Sequence, residues 1–394
     1  MVAATPDTTR LLFAERTRGE VGDGIASVLA YLGRSDLISF AGGFPDPRTF
    51  PRERAAELLA EFAAAGEIAA FQYTPTRGLA GTLDAVAGRL AEQQGRRPGD
   101  DELLITSGAI EALELVGKAF VDRGDTVVIE APTYLGAIQA FRSFEAELVS
   151  VPVDDDGLQV DALESLLADG LRPKLLYTIP ENQNPAGVSL SLERRRALAE
   201  LAERYGFVIV EDLAYRELDF AGRGLPTLWS LAPDCVVQAG TTSKTFFPGV
   251  RLGWAVAPAE ISAQLVAAKQ NTDQCAGGLG QRLYEEYVRR GWIDEQLARS
   301  RELYRGKSER TLAALERHLS GARWTTPRGG FFTWVTLPVE TTELAARAVE
   351  AGVAVIPGTL FYTDGRGNDA IRLSFSMVDE SLIDVGIERL AALL

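Results

Sequence analysis

Short apolar runs alternate with stretches of helical periodicity through the middle of the chain. The runs that the pattern predicts as strands are residues 102–106, 126–130, 174–179, 207–211, 235–239 and 252–257. Helical periodicity fills residues 109–122, 136–145 and 192–205 between them. Because such alternation is typical of sheets that are covered on both faces, we predict an α/β unit built on a mostly parallel sheet. Ligands bind beyond the carboxyl ends of the strands in such sheets.

The pattern changes after about residue 277. A long helical stretch over residues 280–319 precedes strand-like segments at 331–337, 353–356 and 370–375, which predicts a second, smaller α+β unit. Near the N-terminus a helical pattern over residues 25–32 is expected to pack beside this unit. We therefore predict an N-terminal segment over residues 1–40, a large domain over 41–277 and a small domain over 278–394.

Composition narrows the class of protein. The 394 residues are 46% apolar and 24% charged, as in a well-packed soluble protein. No run of about eighteen apolar residues predicts a membrane span, and no secretory signal is visible, so we expect a cytoplasmic protein. The net charge of −15 argues against nucleic-acid binding. The two cysteines, Cys235 and Cys275, form no disulfide or metal-binding pattern.

The single histidine, His318, lies in a charged helical stretch and is expected to be an exposed helix residue. Catalytic triads that need histidine and histidine-rich metal sites are therefore disfavoured, and no metal is expected. The chemistry must come from Lys, Asp, Tyr, Arg or a cofactor.

A lysine follows the fifth predicted strand. Lys244 comes after Gly240, Thr241, Thr242 and Ser243, and Arg251 follows seven positions later. Lysine forms imines with carbonyl compounds, and neighbouring cations lower the pKa of its amine. From this segment alone, a reactive amine beside an anion pocket and a surface loop lysine are equally plausible.

Three further strand ends carry candidate groups. Asp212 follows the fourth run, where it could pair with the protonated ring nitrogen of pyridoxal phosphate or cap the next helix. Asn184 begins an Asn-Pro-Ala-Gly turn after the third run. The turn Ser107-Gly108-Ala109-Ile110 offers backbone N–H groups to a phosphate, as any tight strand-to-helix junction can.

In their order along the chain, these motifs resemble the fold-type I pyridoxal-phosphate enzymes, and specifically the class I/II aminotransferases. Within that family, the sequence most resembles the subgroup that contains the 2-aminoadipate, kynurenine-type and other broad-specificity transaminases. The motifs that carry the resemblance are residues 40–45, 73–78, 184–187, 243–254 and 372–375. The family's fold implies a large domain with a mostly parallel seven-stranded sheet beside a smaller α+β domain.

The resemblance also implies a role for each site residue. Lys244 would form the imine with pyridoxal phosphate and move protons, assisted by Asp212 at the ring nitrogen and by Tyr215. Arg372, Asn184 and Gly43 would bind the substrate. The implied cofactor-binding residues are Ser107, Gly108, Ala109, Ile110, Tyr134, Asn184, Asp212, Tyr215, Thr241, Ser243, Lys244 and Arg251, joined by Tyr73 from the partner subunit of a homodimer.

The implied reaction moves an amino group from an α-amino acid to a 2-oxo acid by ping-pong kinetics. Asn182, Ala109 and Ile110 depart from the usual family motifs. The alternative is therefore elimination, decarboxylation or oxidative deamination by the same fold. Phe13, Arg18, Ile25 and Phe44 are candidates to line the side-chain pocket, but packing on a surface helix or in the core is the favoured interpretation of each.

Overall fold

The computed structural model of the chain describes residues 12–17, 34, 36–222 and 224–394. Within those residues the α-helices, labelled α1 to α13 in chain order, are Arg52–Ala65, Ile68–Phe71, Ala80–Gln94, Ala109–Phe120, Leu135–Ser143, Val160–Ala168, Leu192–Tyr205, Leu228–Leu231, Ala259–Gln270, Gly278–Arg289, Trp292–His318, Thr341–Glu350 and Ile383–Ala391. The strands, labelled β1 to β14, are Ile38–Ser39, Leu103–Thr106, Thr126–Ala131, Glu147–Asp154, Gly157–Leu158, Leu175–Thr178, Val208–Asp212, Val236–Thr241, Gly253–Val256, Arg323–Trp324, Phe332–Thr336, Val353–Ala354, Ile356–Pro357 and Ala370–Ser374. The helical pattern predicted over residues 25–32 lies outside the described residues.

The large sheet has the strand order β2-β9-β8-β7-β6-β3-β4-β5. Strands β8, β7, β6, β3 and β4 run parallel, whereas β9 is antiparallel to both of its neighbours. The predicted mostly parallel sheet is confirmed, and the two-residue β5 adds an eighth strand at its edge. The sequence pattern missed β4, because only one of its eight residues is buried and polar residues interrupt its apolar positions.

Both faces of the sheet are buried, which explains its continuous apolar strands. Leu176 and Val236 pack on one face against residues of helices α3, α6 and α7. Their neighbours Leu175 and Val237 point to the opposite face and pack against α4, α5 and α9. Successive side chains of a strand point to opposite faces, so both faces of a central strand contribute to a core.

Four adjacent parallel strands bring the candidate residues together. Strand β7 ends at Asp212, and β3, β6 and β8 lead into the segments that carry Tyr134, Asn184 and Lys244. Since these strands are neighbours in the order β8-β7-β6-β3, their carboxyl ends meet at one edge of the sheet. The fold therefore places four separate sequence motifs in one place.

The C-terminal part forms an antiparallel sheet of order β10-β11-β14-β13. Residues of α11, α12 and α13 pack with this sheet in a separate apolar cluster. The short strand β1 pairs in parallel with β12, which attaches the N-terminal segment to this unit. An α+β unit is thus present, while the proposed domain boundaries at residues 40 and 277 stay a prediction.

Three local expectations about the C-terminal part are corrected. The helix predicted over 280–319 is two helices, because Gly291 adopts a left-handed conformation with φ 70° between α10 and α11. The strand predicted over 353–356 is divided between β12 and β13, which belong to different sheets. His318 is half-buried rather than exposed, and its Nε2 lies 3.2 Å from a carboxylate oxygen of Asp384. Among the described residues, no helix is long and apolar enough to cross a membrane.

Candidate active site

A cavity of about 320 Å³ opens at the carboxyl ends of the central strands. The predicted site residues that line it are Gly43, Ala109, Ile110, Tyr134, Asn184, Asp212, Tyr215, Thr241, Ser243, Lys244, Arg251 and Arg372. Phe44, predicted to line a side-chain pocket, also borders it. Three cationic and one anionic side chain therefore face a single concave space. Among the described residues, no group of His, Cys, Asp or Glu side chains could hold a metal ion.

Lys244 follows β8 and points into this cavity. Its Nζ donates a hydrogen bond to the carbonyl oxygen of Gly43 at 3.1 Å. Burial lowers the pKa of the Lys244 amine to about 8, and the nearby Arg372 guanidinium adds to this effect. A large fraction of the amine is therefore neutral near pH 8, as a nucleophile or a base must be.

Asp212 lies on the floor of the cavity and is almost completely buried. It accepts a hydrogen bond from the Tyr177 hydroxyl at 2.9 Å and one from the backbone N–H of Ala214 at 3.0 Å. Burial raises the pKa of Asp212, while the Tyr177 hydrogen bond opposes that shift. The carboxylate is thus oriented and available to a cationic partner in the cavity.

Arg372 comes from β14 of the small unit and reaches the same cavity. Its guanidinium donates to the side-chain oxygen of Asn184 at 2.9 Å and to the Ala41 carbonyl at 2.5 Å. The guanidinium lies over the rings of Phe332 and Phe361, whose centroids are 4.5 and 4.9 Å away. Its buried Nε has no hydrogen-bond partner among the described residues. A buried cation with a spare donor is suited to binding a carboxylate.

The turn between β2 and α4 forms the other end of the cavity. Gly108 caps α4 with φ 105°, and no side chain of the described residues caps this helix end. The first N–H groups of a helix have no intrahelical acceptor, so those of this turn remain available to an anion. The φ of 105° at Gly108 is a conformation that other residues rarely adopt, and a Cβ atom there would lie 2.7 Å from an Arg251 guanidinium nitrogen, so the turn favours glycine.

Arg251 crosses this turn and links it to the lysine segment. It donates to the Ser107 carbonyl at 2.9 Å and to the Ser243 hydroxyl at 3.4 Å. The Thr241 hydroxyl donates to the Ser243 hydroxyl at 3.0 Å. Two hydroxyls, a guanidinium and a helix N-terminus therefore converge, which is the donor set of a phosphate site.

Several predicted residues lie outside the cavity lining. Ser107 is behind the turn, where Glu111 and Asp273 accept hydrogen bonds from its N–H and hydroxyl. Tyr73 is 81% exposed and does not border the cavity of its own chain. Phe13 is also exposed, and the predicted Arg18 and Ile25 fall outside the described residues.

The structure adds residues that the motifs did not identify. Tyr177 holds Asp212, and Phe332 packs edge-on against Tyr215 at a centroid distance of 5.5 Å while lining the cavity. Gln183 donates to Glu130 at 3.0 Å and to the Pro132 carbonyl at 2.7 Å. It thereby ties the Asn184 turn to the segment that carries Tyr134. Tyr177 is the next-to-last residue of β6, and a hydroxyl near the carboxyl end of a buried strand could have indicated it.

Comparison with known proteins identifies the family. The sequence pattern of "Aminotransferase class I and II" matches residues 35–390. The chain belongs to this family. It is similar to an aromatic-amino-acid aminotransferase of Thermococcus litoralis, with 38% identity over 96% of this chain and 93% of that protein.

Solved structures agree with the family assignment. The chain superimposes on a kynurenine aminotransferase of Pyrococcus horikoshii with a TM-score of 0.93, at 37% identity, covering 98% of this chain and 97% of that one. It also resembles an α-aminoadipate aminotransferase of Thermus thermophilus complexed with N-(5'-phosphopyridoxyl)-L-leucine. The TM-score there is 0.89, with 39% identity and 97% of each chain covered.

The protein is therefore a pyridoxal-phosphate-dependent aminotransferase of fold type I, and it transfers the amino group of an amino acid to a 2-oxo acid. The relatives favour transamination over elimination, decarboxylation or oxidative deamination. The cavity fits the cofactor. An uncapped helix end with Arg251 suits its phosphate, the buried Asp212 suits its ring nitrogen, and the Lys244 amine suits its carbonyl.

Proposed function

We propose that Lys244 carries the cofactor and moves the α proton of the amino-acid substrate. The observation that supports this assignment is the cavity amine itself, whose pKa is lowered to about 8. A neutral amine can accept a proton near neutral pH, and it can return that proton to an adjacent carbon. Bound pyridoxal phosphate supplies an electron-withdrawing ring that stabilises charge at the substrate Cα.

Asp212 is proposed to hold the cofactor ring and keep its nitrogen protonated. Its carboxylate is fixed by Tyr177 and by the N–H of Ala214, so both oxygens have a defined direction. A buried carboxylate stabilises a cation beside it strongly, because little water screens the pair. Tyr215 and Asn184 are proposed to hydrogen-bond the ring's phenolic oxygen, and Tyr134 to cover the ring face.

Arg372 is proposed to bind the substrate's α-carboxylate, together with Asn184. The guanidinium is already oriented by Asn184 and Ala41, so little side-chain entropy is lost on binding. Gly43 keeps the opposite wall close, since a Cβ atom there would lie 2.5 Å from the Phe332 ring. These groups orient the amino acid with its Cα near Lys244.

The donors are proposed to be α-amino acids with long side chains, and the acceptors 2-oxo acids. Support comes from the relatives named for aromatic amino acids, kynurenine and 2-aminoadipate. Phe44, Ile110 and Phe332 supply apolar surface to the cavity.

A homodimer in the cytoplasm is proposed as the working form. Tyr73 is exposed beside the exposed apolar side chains of Ile68 and Phe71, which a second subunit would cover. In the dimer, the Tyr73 hydroxyl would reach the phosphate of the neighbouring site. Light scattering of the purified enzyme tests this arrangement, and a fully active monomer would contradict it.

The central test replaces Lys244 with alanine. We expect the visible absorbance of the bound cofactor and almost all turnover to disappear, because no other amine lines the cavity among the described residues. Lys118→Ala, which changes an exposed lysine on α4, is the matched control and should retain both. Retention of absorbance and turnover by Lys244→Ala would refute the assignment.

A donor screen tests the substrate class. The enzyme is mixed with single amino acids, without an acceptor, and the formation of pyridoxamine phosphate and keto acid is followed. Aromatic amino acids and 2-aminoadipate should react faster than alanine. Ammonia, CO₂ or peroxide in place of the two products would argue against transamination.

A further inference from the structure

A buried cluster of three charged side chains lies directly behind the proposed phosphate turn. The Lys269 ammonium, which is completely buried on α9, contacts both carboxylate oxygens of Glu111 at 2.6 and 2.9 Å. It also contacts both oxygens of Asp273 at 2.8 and 2.9 Å. Two carboxylates and one ammonium give the cluster a formal charge of −1.

This cluster is attached to the turn through Ser107. Glu111 accepts the Ser107 backbone N–H at 2.5 Å, and Asp273 accepts the Ser107 hydroxyl at 3.1 Å. Arg251 binds the Ser107 carbonyl from the other side at 2.9 Å. Every polar group of Ser107 is therefore held, and the direction of the next three N–H groups is fixed.

The arrangement has a cost for anion binding. The Glu111 and Asp273 carboxylates bind Ser107, the residue directly before the N–H groups that are proposed to bind a phosphate. A phosphate and a carboxylate are both negatively charged, and they repel each other in a poorly hydrated region. Lys269 is the buried cation that both carboxylates share. It offsets most of their charge while they keep the turn in place.

We propose that Glu111, Lys269 and Asp273 are positioning residues that set the affinity of the enzyme for the cofactor's phosphate. The two carboxylates orient the turn, and Lys269 neutralises them. The inference rests on the proposed function in one respect, namely that the turn beginning at Ser107 holds the phosphate. None of the three residues lines the cavity, so their influence on catalysis is indirect.

The test compares pyridoxal phosphate with pyridoxal, which lacks the phosphate but can still react with Lys244. Dissociation constants for both compounds are measured by absorbance titration of the cofactor-stripped enzyme. In the unmodified enzyme the phosphate should improve binding by at least about a hundredfold, given the strength of charge-assisted hydrogen bonds. Equal binding of the two compounds would refute the phosphate site itself, which belongs to the proposed function.

Two variants with opposite expected effects test the cluster. Lys269→Met leaves two carboxylates uncompensated and should weaken binding of pyridoxal phosphate by about tenfold or more. Glu111→Gln removes one negative charge and keeps an oxygen for the Ser107 N–H. Its NH2 group replaces one of the two oxygens that Lys269 contacts, so Asp273 becomes the main partner of the ammonium. This variant should strengthen binding of pyridoxal phosphate by about threefold. Binding of pyridoxal should change less than about twofold in both.

The matched controls are Lys118→Met and Glu114→Gln, which lie on the same helix as Glu111. Lys118 donates to the Ala268 carbonyl at 3.4 Å and to the Thr272 hydroxyl at 3.1 Å, so it tests the contact between the two helices without touching the three charges. Both should bind the two compounds as the unmodified enzyme does. If the cluster only supported the fold, both variants would bind both compounds more weakly, and that result would overturn the inference. If Lys269→Met does not fold, Glu111→Gln decides alone, and unchanged or weaker binding of pyridoxal phosphate overturns the proposal.

Discussion

Replacing Lys244 with methionine should stabilise the cofactor-free protein near neutral pH. The amine lies in the cavity beside the Arg372 guanidinium, and its pKa falls from an ordinary value near 10.5 to about 8. The folded state therefore resists protonating this amine, whereas the unfolded chain does not. Methionine has a similar length and carries no charge, so the variant avoids that cost.

The magnitude follows from the shift of the pKa. Each pKa unit corresponds to about 1.4 kcal/mol, so the shift gives an upper limit of about 3.5 kcal/mol. The side chain is partly accessible through the cavity, which screens its charge, and methionine loses the hydrogen bond to Gly43. We therefore expect a net gain of about 1 to 2 kcal/mol at pH 7.

The sign of the pH dependence is the sharper expectation. Between about pH 8 and 10.5 the unfolded chain binds a proton at Lys244 that the folded chain has released, so the stability of the unmodified protein rises with pH. The advantage of Lys244→Met is present in full below pH 8 and shrinks as pH rises through this window.

Urea denaturation of the cofactor-free proteins at pH 7 and pH 10 measures this difference. Lys118→Met serves as the control, and its effect should stay within about 0.5 kcal/mol at both values. A gap between Lys244→Met and the unmodified protein that is the same at both pH values would refute the reasoning.

Three further variants test other contacts of the site. Arg372→Lys loses the bidentate geometry and should raise the KM for amino-acid donors by about tenfold to a hundredfold in steady-state assays, whereas an unchanged KM would exclude Arg372 from carboxylate binding. Tyr177→Phe removes the hydroxyl that donates to Asp212 and so raises the pKa of that carboxyl further. This variant should lower kcat by about five- to thirtyfold. An unchanged pH–rate profile and an unchanged kcat would contradict this role of Tyr177. Gly43→Ala places a Cβ atom 2.5 Å from the Phe332 ring and should lower kcat/KM by about tenfold, with thermal stability measured alongside to separate misfolding from loss of substrate space.

The strands of the central sheet were predictable from their apolar runs, and the runs also located the candidate groups at the strand ends, whereas the roles of those groups came only from the family resemblance. Asp212 follows its run directly and Lys244 follows its run after four residues, and a parallel sheet brings the ends of its strands together. The strand Glu147–Asp154, which lies next to the edge of the sheet, was missed because it is half-exposed and lacks a continuous apolar pattern. The break at Gly291 was missed because helical periodicity continues on both sides of it.

The fold class and the candidate groups at the strand ends could be predicted from the sequence, because apolar periodicity and strand-end motifs are local properties of the chain. The folded structure was needed to show that Tyr177 holds Asp212 and that Arg372, from a distant strand, lies against Asn184. Folding also places the buried Lys269 ammonium behind the turn at Ser107, although the two residues are more than a hundred positions apart in the sequence. Such contacts depend on how helices and strands pack, and no local pattern of residues records that packing.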